Sequence, residues 1–498
     1  MQKIAAVTAL AAQCLACQLS GAWAEEKREV GPAVLIVRQP AGEAVPAQAL
    51  LGSPIAPPDG SEARPFTSLR SALQAAPAGA LLRIGEGIWR ERLSISRPVV
   101  LLGRGADRTR IVPPEGGLPA IEVRGADRVE IYGLSIEGGG FGISYLGGAG
   151  HRLENVSLRG AWQAAVQARG AHLFVAGGEV AEVARGRAGR GIDVEGGSLE
   201  AHKLLLRQAG RRALVLKAAK ALLVDLDVQG SSLSALQATD GAEVRVVRGR
   251  FAGQGGAALY TGGARLSIEE AEVSGNEYAV IGFRGADLSV TGAQLSDYHV
   301  AAVAMVNSRG TVQRCKMEGG GTEAAISITG KDKTPVALLE NRIRDSGSMG
   351  VHLTETSVVA RGNIITGTRL DRDHDMGDAF YAVQSELQLE RNVLRGNAGS
   401  GIATLRSRVR MTGNDLIENG RAGLLLLDRS RATATGNLFE RNAAAGVEVA
   451  EQSHATLSRN RFAYQPTYDI DARCERGGAD VRDDNTFAAP RRQRSCAE

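Results

Sequence analysis

Asn392-Val393-Leu394-Arg395-Gly396-Asn397, Asn414-Asp415-Leu416-Ile417-Glu418-Asn419 and Asn437-Leu438-Phe439-Glu440-Arg441-Asn442 are three copies of one phrase. Each opens on Asn, has an apolar residue two places on, and closes on a second Asn. Asn341, Asn363 and Asn460 open the same phrase, with Ile343, Ile365 and Phe462 at the apolar position. Successive copies start 22 or 23 residues apart, except for a gap of 29 between Asn363 and Asn392. A second marker accompanies the first: a small residue followed by apolar-x-apolar. It reads Gly350-Val351-His352-Leu353, Gly423-Leu424-Leu425-Leu426 and Gly446-Val447-Glu448-Val449. Upstream it recurs as Gly191-Ile192-Asp193-Val194, Ala213-Leu214-Val215-Leu216 and Ala325-Ile326-Ser327-Ile328.

Alternation at period two turns the flanking apolar residues inward and the middle one outward. Each run is too short for a helix. Copies at a fixed spacing stack as parallel strands about 4.8 Å apart, so like side chains lie on like. Asn suits the corners because it tolerates the left-handed conformation, and stacked Asn amides can hydrogen-bond along the stack. The expected fold is all-β, a single-stranded right-handed parallel β-helix of about fifteen rungs over 81–463. With 63 Gly and 4% aromatic residues, its core must be Val, Ile, Leu and Ala.

Outside the repeats, Thr67 or Ser68 can cap a short helix within 65–80. Leu69, Ala72, Leu73 and Ala76 would share one face, and Pro77-Ala78-Gly79 would end it. Such a helix would plug the first rung. Residues 25–64 read as a Pro/Ala/Gly-rich linker or arm, and 464–498 as a C-terminal tail or cap. Residues 1–24 read as a secretory signal: a basic start at Lys3, an apolar run, and Ala22-Trp23-Ala24 as the cleavage site. Lipid attachment at Cys17 is the alternative. Either reading implies a secreted or periplasmic protein. There Cys474 and Cys496 could form a disulfide, leaving Cys315 as a small buried hydrophobe.

The formal net charge is +4, from 59 Lys and Arg against 55 Asp and Glu spread along the chain. No basic block interleaved with aromatics argues for nucleic-acid binding. No segment is apolar and long enough for a transmembrane helix.

The opening Phe66 to Val112, with Glu86-Gly87-Ile88-Trp89-Arg90-Glu91 and Leu101-Leu102-Gly103-Arg104-Gly105, resembles pectin-lyase-like β-helix proteins. The Asn phrases resemble carbohydrate-binding and sugar-hydrolase β-helix repeats and the rungs of NosD-type proteins. The resemblance implies the fold and a polysaccharide or cell-envelope partner. It does not imply one reaction, because this fold carries many.

Chemistry is expected first where the period breaks. The 29-residue gap holds Leu370-Asp371-Arg372-Asp373-His374-Asp375-Met376-Gly377-Asp378. His374-Asp375 resembles the second half of the Asp-Pro-His-Asp motif of alginate C-5 epimerases, although Arg372 and Asp373 stand where that motif has Asp and Pro. The resemblance would make His374 the base and Asp375 its partner. Asp371, Asp373 and Asp378 could hold calcium. Gln237, Tyr260, His352 and Tyr381 are expected on one outward column, lining a groove. His151, His172, His202, His299 and His454 share no spacing and are expected at surfaces or turns. Trp89 and Trp162 both lie early in the chain, which counts against a depolymerase built on aromatic platforms. Two readings remain: a glycan- or envelope-binding structural module, or a uronan C-5 epimerase or lyase using His374.

Overall fold

The computed structural model describes residues 33–39, 57–184, 189–330, 334–371, 376–472, 478–488 and 493–494. The signal segment, Cys17, Cys474 and Cys496 lie outside the described residues. The chain forms a parallel β-helix of about 17 turns with one short helix. Each turn lays down three strands, as in Glu243–Val247, Arg250–Ala252 and Ala257–Gly262. We call the sheets that these three strands join A, B and C. Every strand of a sheet pairs in parallel with its counterpart one turn on, as Gln237 does with Tyr260 and Tyr260 with Ile281. Sheet A contains 19 strands. At about 4.8 Å per turn the rod is about 80 Å long.

The interior is one continuous apolar column, with Leu259, Val280, Val303, Ile326 and Val351 stacked along sheet C. The small residue leading each sheet C strand has a steric cause. A Cβ added to Gly423 would lie 2.7 Å from Gly446 O and 2.8 Å from Phe439 Cδ1.

The Asn phrase builds a buried amide ladder. Asn392 Nδ2 donates to Asn414 Oδ1 at 2.9 Å, Asn414 to Asn437 at 2.9 Å, and Asn437 to Asn460 at 3.0 Å. Each side-chain oxygen also accepts the backbone N–H of the preceding Asn, as Asn414 does from Asn392 at 2.9 Å. The second Asn of the phrase makes a parallel ladder, Asn397 to Asn419 to Asn442. The conformational reason expected for Asn needs correction. The left-handed residue is the one before it: Glu340, Arg391 and Arg459 have φ of 54°, 51° and 55°. Asn is there for its amide, which meets both a donor and an acceptor of the corner. Cys315 occupies the same ladder position, buried, its N–H donating to Asn341 Oδ1 at 3.0 Å. Burial pushes its thiol up to about 11.

Both ends depart from the boundaries read off the sequence. Within the 25–64 arm, Val34–Val37 joins sheet A beside Leu81–Ile84. Beyond residue 463, Tyr468–Ala472, Gly478–Val481 and Thr486–Phe487 continue sheets C, A and B. Asn485 extends the amide ladder from Asn460 at 3.0 Å, and Phe487 stacks on Phe462 at 5.1 Å. The phrase Asn485-Thr486-Phe487 is therefore another copy, 25 residues after Asn460. At the N-terminal end the helix Leu69–Ala75 packs on Val34–Val37, Ala80–Ile84 and Leu93–Ile95.

Candidate functional site

Residues facing out from the middle of sheet C form a column set by register. It runs Asp193, Val215, Gln237, Tyr260, then through Ile281, Ala304 and Ser327 to His352, Tyr381 and Ala403. Gln237, Tyr260, His352 and Tyr381 all stand in this column, but in two pairs. Tyr260 and His352 are four turns apart, about 19 Å. The column is unusually sheltered for an outer face. Ile281 and Ala304 are each 5% exposed and form a second apolar cluster outside the core. Tyr260, Tyr278 and Phe283 pack against it, half-buried, with the Tyr260 and Phe283 rings 5.8 Å apart.

At the second pair, the His352 and Tyr381 rings lie 5.7 Å apart, and His352 Nε2 is 3.2 Å from Thr354 Oγ1. Burial holds the His352 imidazole below its usual range, and burial followed by the Asp378 carboxylate raises the Tyr381 phenol. At neutral pH the pair is a neutral base beside a protonated phenol. The described ends of the insertion, 370–371 and 376–378, lie in the turn between sheets B and C, and Asp378 stands near Tyr381. Asp371 N–H donates to Met376 O at 2.7 Å across its base. Asp378 is 6% exposed and accepts Ser400 N–H at 2.5 Å. His374, Asp375 and Asp373 lie outside the described residues. Among the described residues no three His, Cys, Asp or Glu side chains converge as a metal site.

Several residues at this face were not singled out by the alternation. On the B-to-C edge, Leu118, Trp162, Leu370 and Tyr464 are strongly exposed, Trp162 at 57%. Each sits in a turn between a sheet B strand and a sheet C strand. Arg190, Arg212 and Ser234 stack at the first outward position of three successive sheet C strands. Arg190 pairs with Asp193. After this position two consecutive residues face inward, as Ala213 and Leu214 do, both fully buried in the core. A strict two-residue alternation therefore misassigns the first position.

A separate cavity lies between the helix and the first sheet C strand, lined by Arg70, Leu73, Arg92, Leu93 and Arg97. Two of its arginines are engaged by the fold, Arg97 donating to Ala76 O and Arg92 to Pro114 O and Glu115 O, although Arg92 Nε has no hydrogen-bond partner. We therefore place no ligand there. His151 also departs from expectation: it is fully buried under Tyr145, ring centroids 4.6 Å apart. Its Nδ1 accepts Val129 N–H at 3.4 Å and its Nε2 lies 3.1 Å from Gly147 O. Trp89 is core, whereas Cys315 is the buried small residue expected.

Among the described residues no helix is long and apolar enough to cross a membrane. No curated protein matches the sequence. Solved structures with a similar outline include the pectin methylesterase PemA from Erwinia chrysanthemi, at 10% identity and TM-score 0.24, covering 56% of this chain and 90% of that one. The periplasmic alginate epimerase AlgG is 9% identical with TM-score 0.29, covering 71% and 77%. The catalytic unit of a GH87 alpha-1,3-glucanase from Streptomyces thermodiastaticus is 12% identical with TM-score 0.23, covering 95% and 71%. The family model described as right handed beta helix region matches residues 233–371 and 324–486, together just over half of the chain. The chain belongs to the right-handed β-helix family.

Proposed function

We propose that this is an exported β-helix repeat protein whose sheet C face binds a glycan of the cell envelope, as a binding or structural module. The observation that carries this reading is the aromatic cluster on the outer face of sheet C. Tyr260, Tyr278 and Phe283 pack there around Ile281, Ala301 and Ala304, and the exposed Trp162 and Tyr464 border the same sheet further along, while Val34, Ile88, Leu102 and Ile364 are exposed on the other two sheets. Rings with polar rims suit the apolar faces of sugars, and a long column of them suits a chain rather than a small molecule. The test is affinity electrophoresis against a polysaccharide panel, comparing wild type with Tyr260→Ala. Retardation by at least one polysaccharide, weakened about 2- to 10-fold in the variant, supports the reading. No retardation across the panel would refute it.

The His352–Tyr381 pair favours a second reading, a uronan C-5 epimerase or lyase with His374 as the base and calcium as a possible aid. Proton abstraction next to a carboxylate needs a neutral base and a proton donor, and the His352 imidazole and Tyr381 phenol would serve it beside His374. Proton NMR of alginate, polymannuronate, pectin and polygalacturonate, with and without calcium, decides it. New anomeric or unsaturated signals that vanish in His374→Ala would establish the enzyme, and unchanged spectra would exclude it for these substrates.

A further inference from the structure

Arg212 stands on the sheet C face with no counter-charge among the described residues, as do Arg211 just before its strand and Lys217 at its end. Its neighbour Arg190 pairs with Asp193, while Arg212 and Arg211 make no ion pair with any described residue. Arg212 is half-buried, which disfavours its charge, and Arg211 and Arg190 add repulsion. An arginine left half-buried, unpaired and beside like charge costs stability unless something anionic meets it. The next residue in its stack, Ser234, is 3% exposed, and its hydroxyl has no hydrogen-bond partner. Two turns before Arg212 stands the exposed Trp162, and two turns after it the half-buried Tyr260, each about 10 Å along the rod. The sign changes further on, where Glu277 and Glu323 lie beside Tyr278. Arg190, Arg211 and Arg212 thus cluster between the two aromatic residues, with Asp193 as the partner of Arg190.

We infer that Trp162, Arg212 and Tyr260 form a subsite for an acidic saccharide, Arg212 holding its carboxylate or sulfate and the aromatic rings stacking on sugars to either side. The inference rests on the glycan-binding reading and narrows it from any sugar chain to an anionic one. A guanidinium offers paired donors to either oxyanion, and Ser234 supplies a further hydroxyl one turn away. Neutral glycans would use the aromatic residues only.

The test is affinity electrophoresis of the full chain in polymannuronate, dextran sulfate and unmodified dextran. Arg212→Gln is compared with Arg212→Lys, Trp162→Ala and, as a control on sheet A, the exposed Arg265→Gln. Melting temperatures show whether each variant is folded. Arg212→Gln should weaken binding to an acidic polymer at least tenfold. Arg212→Lys should recover part of that, and Arg265→Gln should change it less than twofold. Polymannuronate and dextran sulfate separate a carboxylate from a sulfate as the anion held. Equal loss in Arg212→Gln and Arg265→Gln would mean diffuse attraction by net charge and overturn the subsite. So would wild-type binding to unmodified dextran that equals acidic binding and ignores Arg212, although glycan binding itself would stand. Binding to none of the three polymers overturns this inference, and the wider panel then decides the glycan reading.

Discussion

Asn414 shows how much one side chain carries in a stacked fold. Its oxygen accepts both Nδ2 and the backbone N–H of Asn392, and its amide donates to Leu389 O and Asn437 Oδ1. Asn414→Ala removes all four and leaves buried groups unpaired, at about 3 kcal/mol or more. Urea unfolding should show that loss, with hydrogen exchange loosening nearest the neighbouring turns rather than uniformly. His151 sets a pH dependence. Burial lowers its folded pKa, outweighing the upward pull of Gly147 O and Asp127, so the unfolded chain takes up the proton first. Its contribution is whole above about 6.5 and is lost as pH falls through the lower folded value. His352 is shifted the same way. The melting temperature should drop between pH 7 and pH 5, and drop less steeply in His151→Leu, which is also less stable throughout. A drop equally steep in the variant would assign the effect elsewhere. The Asn ladder was legible because identical residues recurred at a fixed interval. His151 was not, because nothing in its neighbours' sequence marks the corner that encloses it.

The elements follow from short-range signals, and their joints do not. Alternation placed the inward residues of sheet C, while two consecutive inward residues, as at Ala213 and Leu214 and at Ala235 and Leu236, hid Arg212 and Ser234 from that reading. The helix Leu69–Ala75 was readable from its face and from Ser68, whose side chain accepts Ser71 N–H at 3.3 Å. Its other cap comes from a distant residue. Glu91 accepts Leu69 N–H at 2.9 Å, Arg70 N–H at 3.0 Å and the Ser68 hydroxyl at 2.8 Å. Glu91→Ala should therefore cost about 1–2 kcal/mol and free the N-terminal plug first, read as early protease cleavage near 69–76. On sheet A, Glu243, Arg265, Asp287 and Arg309 alternate in sign along one outward column. These pairs are exposed, so they set register and solubility more than stability.

At the scale of the molecule, the repeat builds one long rod with three different faces. Sheet A carries the charge ladder, and sheet C carries the sheltered column and the aromatic residues. The period alone made the rod legible. The ends were less so: the turns beyond residue 463 keep Asn and Phe at spacings stretched from 23 to 25 residues. Turns between 120 and 190 lack the Asn ladder and stack on Ile, Val and Ala instead. Distinguishing the faces required register, since an outward residue in any one turn looks like any other. Oxidative footprinting in the presence of the tightest-binding polysaccharide tests the assignment of function to sheet C. Tyr260, Tyr278 and Trp162 should be protected from oxidation, while Tyr132 and Phe174 on sheet A keep their rates. Protection confined to sheet A, or equal rates at all five with the polymer bound, would refute it.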